Sequence, residues 1–217
     1  MPHHFSKSAE FRARYPDVAF GLVRVIGAEN PEHPPGFDQH KRKLLRRMKK
    51  PPVLAGIEER VEIYNRFFSE FDYPCPLPLH LKRTKNSGFP RYNLMVDAHF
   101  LAEMCAGILV AVADDDRFDG GLTLDLASAD ESWQGMGPRE LTTKAGEIVL
   151  RDERDIVCVL CQGADEKTRV GPDTTNVLFY GYGIPGVEAE HIAYGLSIAA
   201  EAVIGFGGGR IEGPEIH

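Results

Sequence analysis

The sequence predicts an α+β fold: helical spacing fills its first half, short apolar strands follow, and an apolar helix closes it. At 217 residues there is room for one sizeable domain, or one domain with a small N-terminal appendage. Hydrophobic residues at 43% and charged residues at 26% are ordinary globular values, and no apolar run reaches the roughly 18 residues of a membrane helix.

Ser6 to Tyr15 has helical spacing up to Pro16, and Val18 to Ile26 is β-branched and reads as a buried strand. A proline-rich loop follows. Lys41 to Lys50 then reads as a short basic amphipathic helix closed by Pro51 and Pro52. Val53 to Phe71 carries an apolar stripe through Leu54, Ile57, Val61, Tyr64 and Phe68. A short helix at Leu79 to Thr84 ends at Asn86-Ser87-Gly88. A mostly apolar helix at Leu94 to Ala106 is broken by Gly107. Strands are expected at Ile108–Ala113, Leu122–Leu126, Glu147–Leu150, Ile156–Cys161 and Val177–Tyr180, with turns between them such as Gly135-Met136-Gly137-Pro138. Glu188 to Phe206 is the closing helix, ended by the glycines from Gly205 to Gly209.

Charge is unevenly spread. Residues 1–93 hold 17 Lys and Arg against 10 Asp and Glu, and residues 94–217 hold 8 against 22. A basic front half suits a polyanion, though a solvated basic helix without a partner has the same composition. Four cysteines do not form a disulfide framework in a chain this long. With no apolar core in MPHHFSKSAEF, a reducing cytoplasm is expected.

Most motifs carry little chemistry. Cys158 and Cys161 form a C-x-x-C pair inside a strand-like run, which favours two packed cysteines over a metal or redox site. The GFGGG run closes a helix instead of opening one, so it lacks the geometry of a phosphate loop. The histidines show no metal-ligand spacing, and neither a metal nor another cofactor is expected. Three polar groupings remain: His80-Leu81-Lys82-Arg83-Thr84-Lys85 continuing to Arg91; Asp97-Ala98-His99 inside an apolar helix; and Gln162 to Arg169 followed by Asp173 to Asn176. Asp97 costs stability unless it is paired or lines a cavity. The third grouping is either a polar hairpin or a pocket for a zwitterionic aminoacyl group.

In order and spacing, these groupings resemble the B3/B4 editing module of the phenylalanyl-tRNA synthetase beta subunit. The resemblance runs from about Leu77 to Gly209. It rests on the interval from Asp97 to Asp114, on Gly121 and Glu131 with Gly135-Met136-Gly137, on Ala145 to Glu153, and on Asp173-Thr174-Thr175-Asn176-Val177-Leu178. No synthetase catalytic motif is present. The implied fold is a central mixed or antiparallel sheet flanked by helices (residues 77–217), with a basic helical N-terminal region (residues 1–76) packed on it. The implied activity is metal-independent hydrolysis, acting in trans, of the ester on a mischarged tRNA.

Under that resemblance Asp97, His99, Gln162, Thr168 and Thr174 are the candidate catalytic residues, and Asp165, Glu166, Phe100 and Thr175 the candidate substrate contacts. Lys41, Arg42, Lys43, Arg46, Arg47, His80, Lys82, Arg83, Lys85 and Arg91 are the candidate tRNA contacts; no DNA or membrane partner is expected. The asparagine and histidine of the synthetase site fall on Phe100 and Ala111, which argues against a tyrosine substrate. Asp97, Asp165 and Glu166 would instead suit a basic side chain, making canavanyl-tRNA(Arg) a candidate beside other non-cognate amino acids. The alternative is a tRNA-binding module that keeps the scaffold without the chemistry.

Overall fold

The computed structural model describes residues 3–137 and 139–217, so Met1 and Pro2 of the leader and Pro138 of the expected turn lie outside the described residues. The chain runs β1 (Phe5–Lys7), α1 (Ala9–Arg14), β2 (Phe20–Ile26), α2 (Phe37–Met48), α3 (Pro51–Ser69), α4 (Leu77–Ser87), α5 (Leu94–Ala106) and β3 (Leu109–Asp114). After a short 3-10 turn come β4 (Leu122–Leu126), β5 (Ser132–Gly135), β6 (Arg139–Thr142), β7 (Ile148–Arg151), β8 (Ile156–Val159), β9 (Gly163–Ala164) and β10 (Val177–Tyr182). Helix α6 (Ala189–Gly207) and β11 (Arg210–Ile216) complete it.

The expected mixed and antiparallel pairing is present, divided between two main sheets. The four-stranded sheet has the order β11-β2-β10-β3 and is antiparallel throughout; the five-stranded sheet has the order β1-β4-β7-β8-β9, with β1 parallel to β4. Strands β5 and β6 form a hairpin of their own. Strand β10 is paired on both edges, to β2 and to β3, and is buried along its whole length, so the sheet is covered on both faces there. Thus β2, from within residues 1–76, sits inside the sheet, and the hydrophobic core runs across that boundary.

Local chemistry accounts for the departures from expectation. Pro51 and Pro52 open α3 and do not close α2, because proline fits the first helical turn, where its missing N–H is not needed. Ser6 and Lys7 belong to a strand, and Ser8 caps α1 by accepting from Phe11 N.

Helix α5 positions the site. Asn93 caps it, its side chain accepting from Val96 N at 3.0 Å, and Gly107 ends it at a φ of 67°, which only glycine adopts cheaply. A Cβ at Gly107 would also lie 2.9 Å from the Ile57 carbonyl oxygen, so the turn into β3 needs glycine twice over. Between these ends α5 is buried nearly all round. Any carboxylate on it must therefore be partnered.

Candidate functional site

Helix α5 carries two buried carboxylates, Asp97 at 1% exposure and Glu103 at 2%, and they are satisfied in different ways. Asp97 Oδ2 accepts from Lys41 Nζ at 2.7 Å, while its Oδ1 accepts from Tyr92 N at 2.8 Å. Lys41 is itself 6% exposed and also donates to the Pro90 carbonyl. Here the sequence-based expectations need correction: Asp97 and Lys41 are one buried ion pair locking α2 to α5, with Asp38 Oδ1 a further 3.4 Å partner of Lys41, and neither Asp97 nor Lys41 lines the cavity beside Glu103.

Glu103 faces two imidazoles. His80 Nδ1 lies 3.2 Å from Oε2, and His99 Nε2, one turn back on α5, lies 3.4 Å from Oε1. Burial by itself would lower the His99 pKa, but the Glu103 carboxylate, helped by the backbone carbonyls of Val110 and Val96, outweighs it and the pKa is raised overall. Burial likewise pushes Glu103 upward, yet His99 and His80 together hold its carboxyl below the ordinary carboxylate value. Phe100 packs against both imidazoles, with ring centroids 5.3 Å from His80 and 4.7 Å from His99.

This cluster lines one wall of a cavity of about 440 Å³. Leu109, Val110, Ala111 and Val112 of β3 form a second wall, and Leu160, Gln162, Gly163 and Ala164 at the end of the five-stranded sheet form the opposite one. Met136, at the tip of the β5–β6 hairpin, stands at the rim, held by its N–H to the Ala164 carbonyl at 3.0 Å. Gln162 Nε2 donates to Glu147 Oε2 at 2.9 Å and to the Thr142 carbonyl at 3.0 Å. The cavity thus joins a mostly apolar lining to a carboxylate with two bases.

Of the expected catalytic residues, His99 and Gln162 line this cavity, as does His80, which was expected to touch tRNA. Thr168 and Thr174 do not. Each is buried as a structural bridge: Thr168 Oγ1 donates to Asp165 Oδ1, and Thr174 Oγ1 donates to Asp114 Oδ2 at 2.7 Å. Asp165, the partner of Thr168, is buried and lines a separate open groove beside the β5–β6 hairpin. Glu166 accepts from Gly137 N at 2.7 Å, and Thr175 is exposed in a turn, its carbonyl bonded to Ala28 N. The acidic wall expected from Asp97, Asp165 and Glu166 is therefore not assembled; Glu103 is the carboxylate of the cavity. One signal for it was present, the i,i+4 spacing of His99 and Glu103 in an otherwise apolar helix.

Arg42, Lys43, Arg46 and Arg47 are exposed on α2, and Lys82 and Arg83 on α4. Lys85 pairs with Glu58 at 2.8 Å and Arg91 with Asp38 at 3.1 Å. Cys158 and Cys161 are both buried and free, and burial raises both thiols, that of Cys158 to about 12. The carboxylates of Asp119, Asp152 and Asp155 converge, but Lys167 Nζ sits among them at 3.1, 2.6 and 3.4 Å and supplies the positive charge.

A family model described as the B3/4 domain matches residues 59–204. The phenylalanine–tRNA ligase beta subunit of Mycoplasma genitalium is 29% identical over 87 residues, 40% of this chain and 11% of that subunit. An N-terminal fragment of the phenylalanyl-tRNA synthetase beta subunit from Pyrococcus horikoshii superposes with a TM-score of 0.51 at 13% identity, covering 96% of this chain and 50% of that fragment. The last likeness is one of fold alone. The chain spans about a tenth of the bacterial subunit and half of the archaeal fragment.

Proposed function

This chain belongs to the B3/4 domain family, and from that membership we propose that it is a trans-acting aminoacyl-tRNA deacylase, with the Glu103 cavity as its active site. The observation that carries the proposal is the His80–Glu103–His99 cluster on the wall of a largely apolar cavity. An aminoacyl ester is already activated, so a positioned water and a general base suffice.

Glu103 assigns the roles of the two rings. With His80 Nδ1 held 3.2 Å from the Glu103 carboxylate, Nε2 of the same ring is the atom assigned as the base. The same carboxylate raises the pKa of His99 beside it. Water adds to the ester carbonyl carbon as His80 takes its proton; the bond to the ribose oxygen then breaks and that oxygen receives the proton. The products are the free amino acid and a tRNA with its terminal hydroxyl restored.

Apolar lining at Phe68, Pro74, Pro76 and Leu160 accommodates the amino-acid side chain, and Glu103 offers a carboxylate to a basic group on it. Exposed Arg42, Lys43, Arg46, Arg47, Lys82 and Arg83 meet the tRNA phosphates. The test is release of amino acid from a panel of mischarged tRNAs, canavanyl-tRNA(Arg) included, by purified protein. Turnover on at least one member supports the reading. Tight tRNA binding with no turnover on any member would assign the chain instead to the non-catalytic class.

A further inference from the structure

Strand β3 is the end strand of its sheet, so one of its edges is unpaired. Hydrogen bonds at its C-terminal end settle which residues face that edge. Asp115 N donates to Asn176 O at 2.9 Å, toward β10, whereas Asp114 N donates to Thr168 O at 2.8 Å, away from it. The register pairs Ala113 with Leu178, Val112 with Phe179 and Ala111 with Tyr180. Backbone direction alternates along an antiparallel strand. The N–H and C=O groups of Leu109, Ala111 and Ala113 therefore point to β10, and those of Val110 and Val112 point outward.

Both outward-facing residues, Val110 and Val112, line the cavity, as do Leu109 and Ala111. Among the described residues, neither Val110 N–H nor Val112 N–H has a hydrogen-bond partner. Val110 is buried, but Val112 is only half-buried and within reach of a ligand. A free strand edge beside a catalytic cluster is a template for one kind of group: another piece of extended backbone.

We infer that the edge of β3 at Val112 binds the backbone end of the substrate, the α-ammonium and ester carbonyl of the aminoacyl group, as one residue of a partner strand would be bound. The Val112 N–H donates to the ester carbonyl oxygen and strengthens as negative charge grows there; the Val112 C=O accepts from the α-ammonium. Recognition of this kind depends on the α-amino acid unit and leaves the side chain to the other walls. This inference rests on the deacylase reading and adds the feature by which any aminoacyl ester is held.

Two experiments test it. In the first, calorimetry measures binding of an aminoacyl-adenosine with an amide in place of the ester, against its N-acetyl derivative, to the wild-type protein. The free amine should bind at least tenfold more tightly; equal affinity overturns the inference. In the second, Val112→Pro removes one N–H where an edge strand tolerates proline, because that N–H is outside the ladder. This variant should lose about 10²-fold or more in deacylation rate, the usual effect of one lost oxyanion donor. A Val112→Pro protein with wild-type melting and wild-type turnover also overturns it. Should Val112→Pro fail to fold, the N-acetyl comparison still decides. Amide-analogue binding that needs the free amine, without turnover of any ester, would sink the deacylase reading and leave this one standing.

Discussion

Replacing Asp97 by alanine should unfold the protein more readily and should not act first on its chemistry. Both members of the Asp97–Lys41 pair are almost fully buried, and Asp97 accepts two hydrogen bonds, from Lys41 Nζ at 2.7 Å and Tyr92 N at 2.8 Å. Removing the carboxylate leaves the Lys41 ammonium buried, with only the Pro90 carbonyl at 3.0 Å and the partly exposed Asp38 carboxylate at 3.4 Å as partners. Breaking a buried pair from one side costs about 3–5 kcal/mol. For a chain of this size each kcal/mol is worth roughly 2–4 °C in Tm, so Asp97→Ala should melt about 6–20 °C lower. The double variant Lys41→Met/Asp97→Leu removes both charges and should recover most of the loss, because the desolvation penalty disappears with them. Thermal and urea melts of the four members of the cycle give the coupling directly. An Asp97→Ala protein that melts like wild type but no longer hydrolyses ester would refute the reasoning and return Asp97 to the active site.

Three further predictions follow from the same geometry. The Glu103–His99 pair sets a pH window. His99, with its raised pKa, stabilises fully below its ordinary 6.5 and loses that contribution as pH rises through the raised value; Glu103, with its lowered pKa, stabilises above its ordinary 4.5 and loses it as pH falls through the depressed one. The stability gap between wild type and Glu103→Gln should therefore be widest between those two values and shrink on either side; a gap independent of pH contradicts the pairing. Changing Arg42, Lys43, Arg46 and Arg47 together to Ala should weaken tRNA binding and flatten its salt dependence by roughly 0.7–0.9 log units per lost phosphate contact, with Tm near wild type, since all four are exposed; an unchanged salt slope removes α2 from the interface. Thr174→Val should cost about 1–3 kcal/mol by leaving Asp114 Oδ2 short of its buried donor, read by urea denaturation, with kcat retained by the folded fraction; loss of kcat at full stability would restore Thr174 to the chemistry.

The long elements were legible because their signals are local. Helix α5 carries its cap at Asn93 and its stop at Gly107, and its expected bounds match the observed ones. What the sequence hid depends on tertiary partners. Strands β5, β6 and β9 are short, β11 is almost wholly exposed, and none shows a clear apolar alternation. The site was half legible for the same reason. His99 and Gln162 were picked out as polar residues in suggestive places, but Asp97 and Glu103 differ along the chain only in that His99 stands four residues before Glu103: each is one carboxylate in an apolar helix. Packing separates them, by placing an ammonium from α2 against one and two imidazoles and a cavity against the other. His80 was hidden among basic neighbours whose side chains point to solvent.

The most direct test of the catalytic assignment is single-turnover deacylation of a mischarged tRNA by wild type and by His80→Ala, with tRNA affinity and Tm measured in parallel. Loss of the general base should slow hydrolysis about 10²–10⁴-fold while affinity and melting stay near wild type. Wild-type hydrolysis by a folded His80→Ala protein would contradict the account and place the chemistry outside the Glu103 cluster.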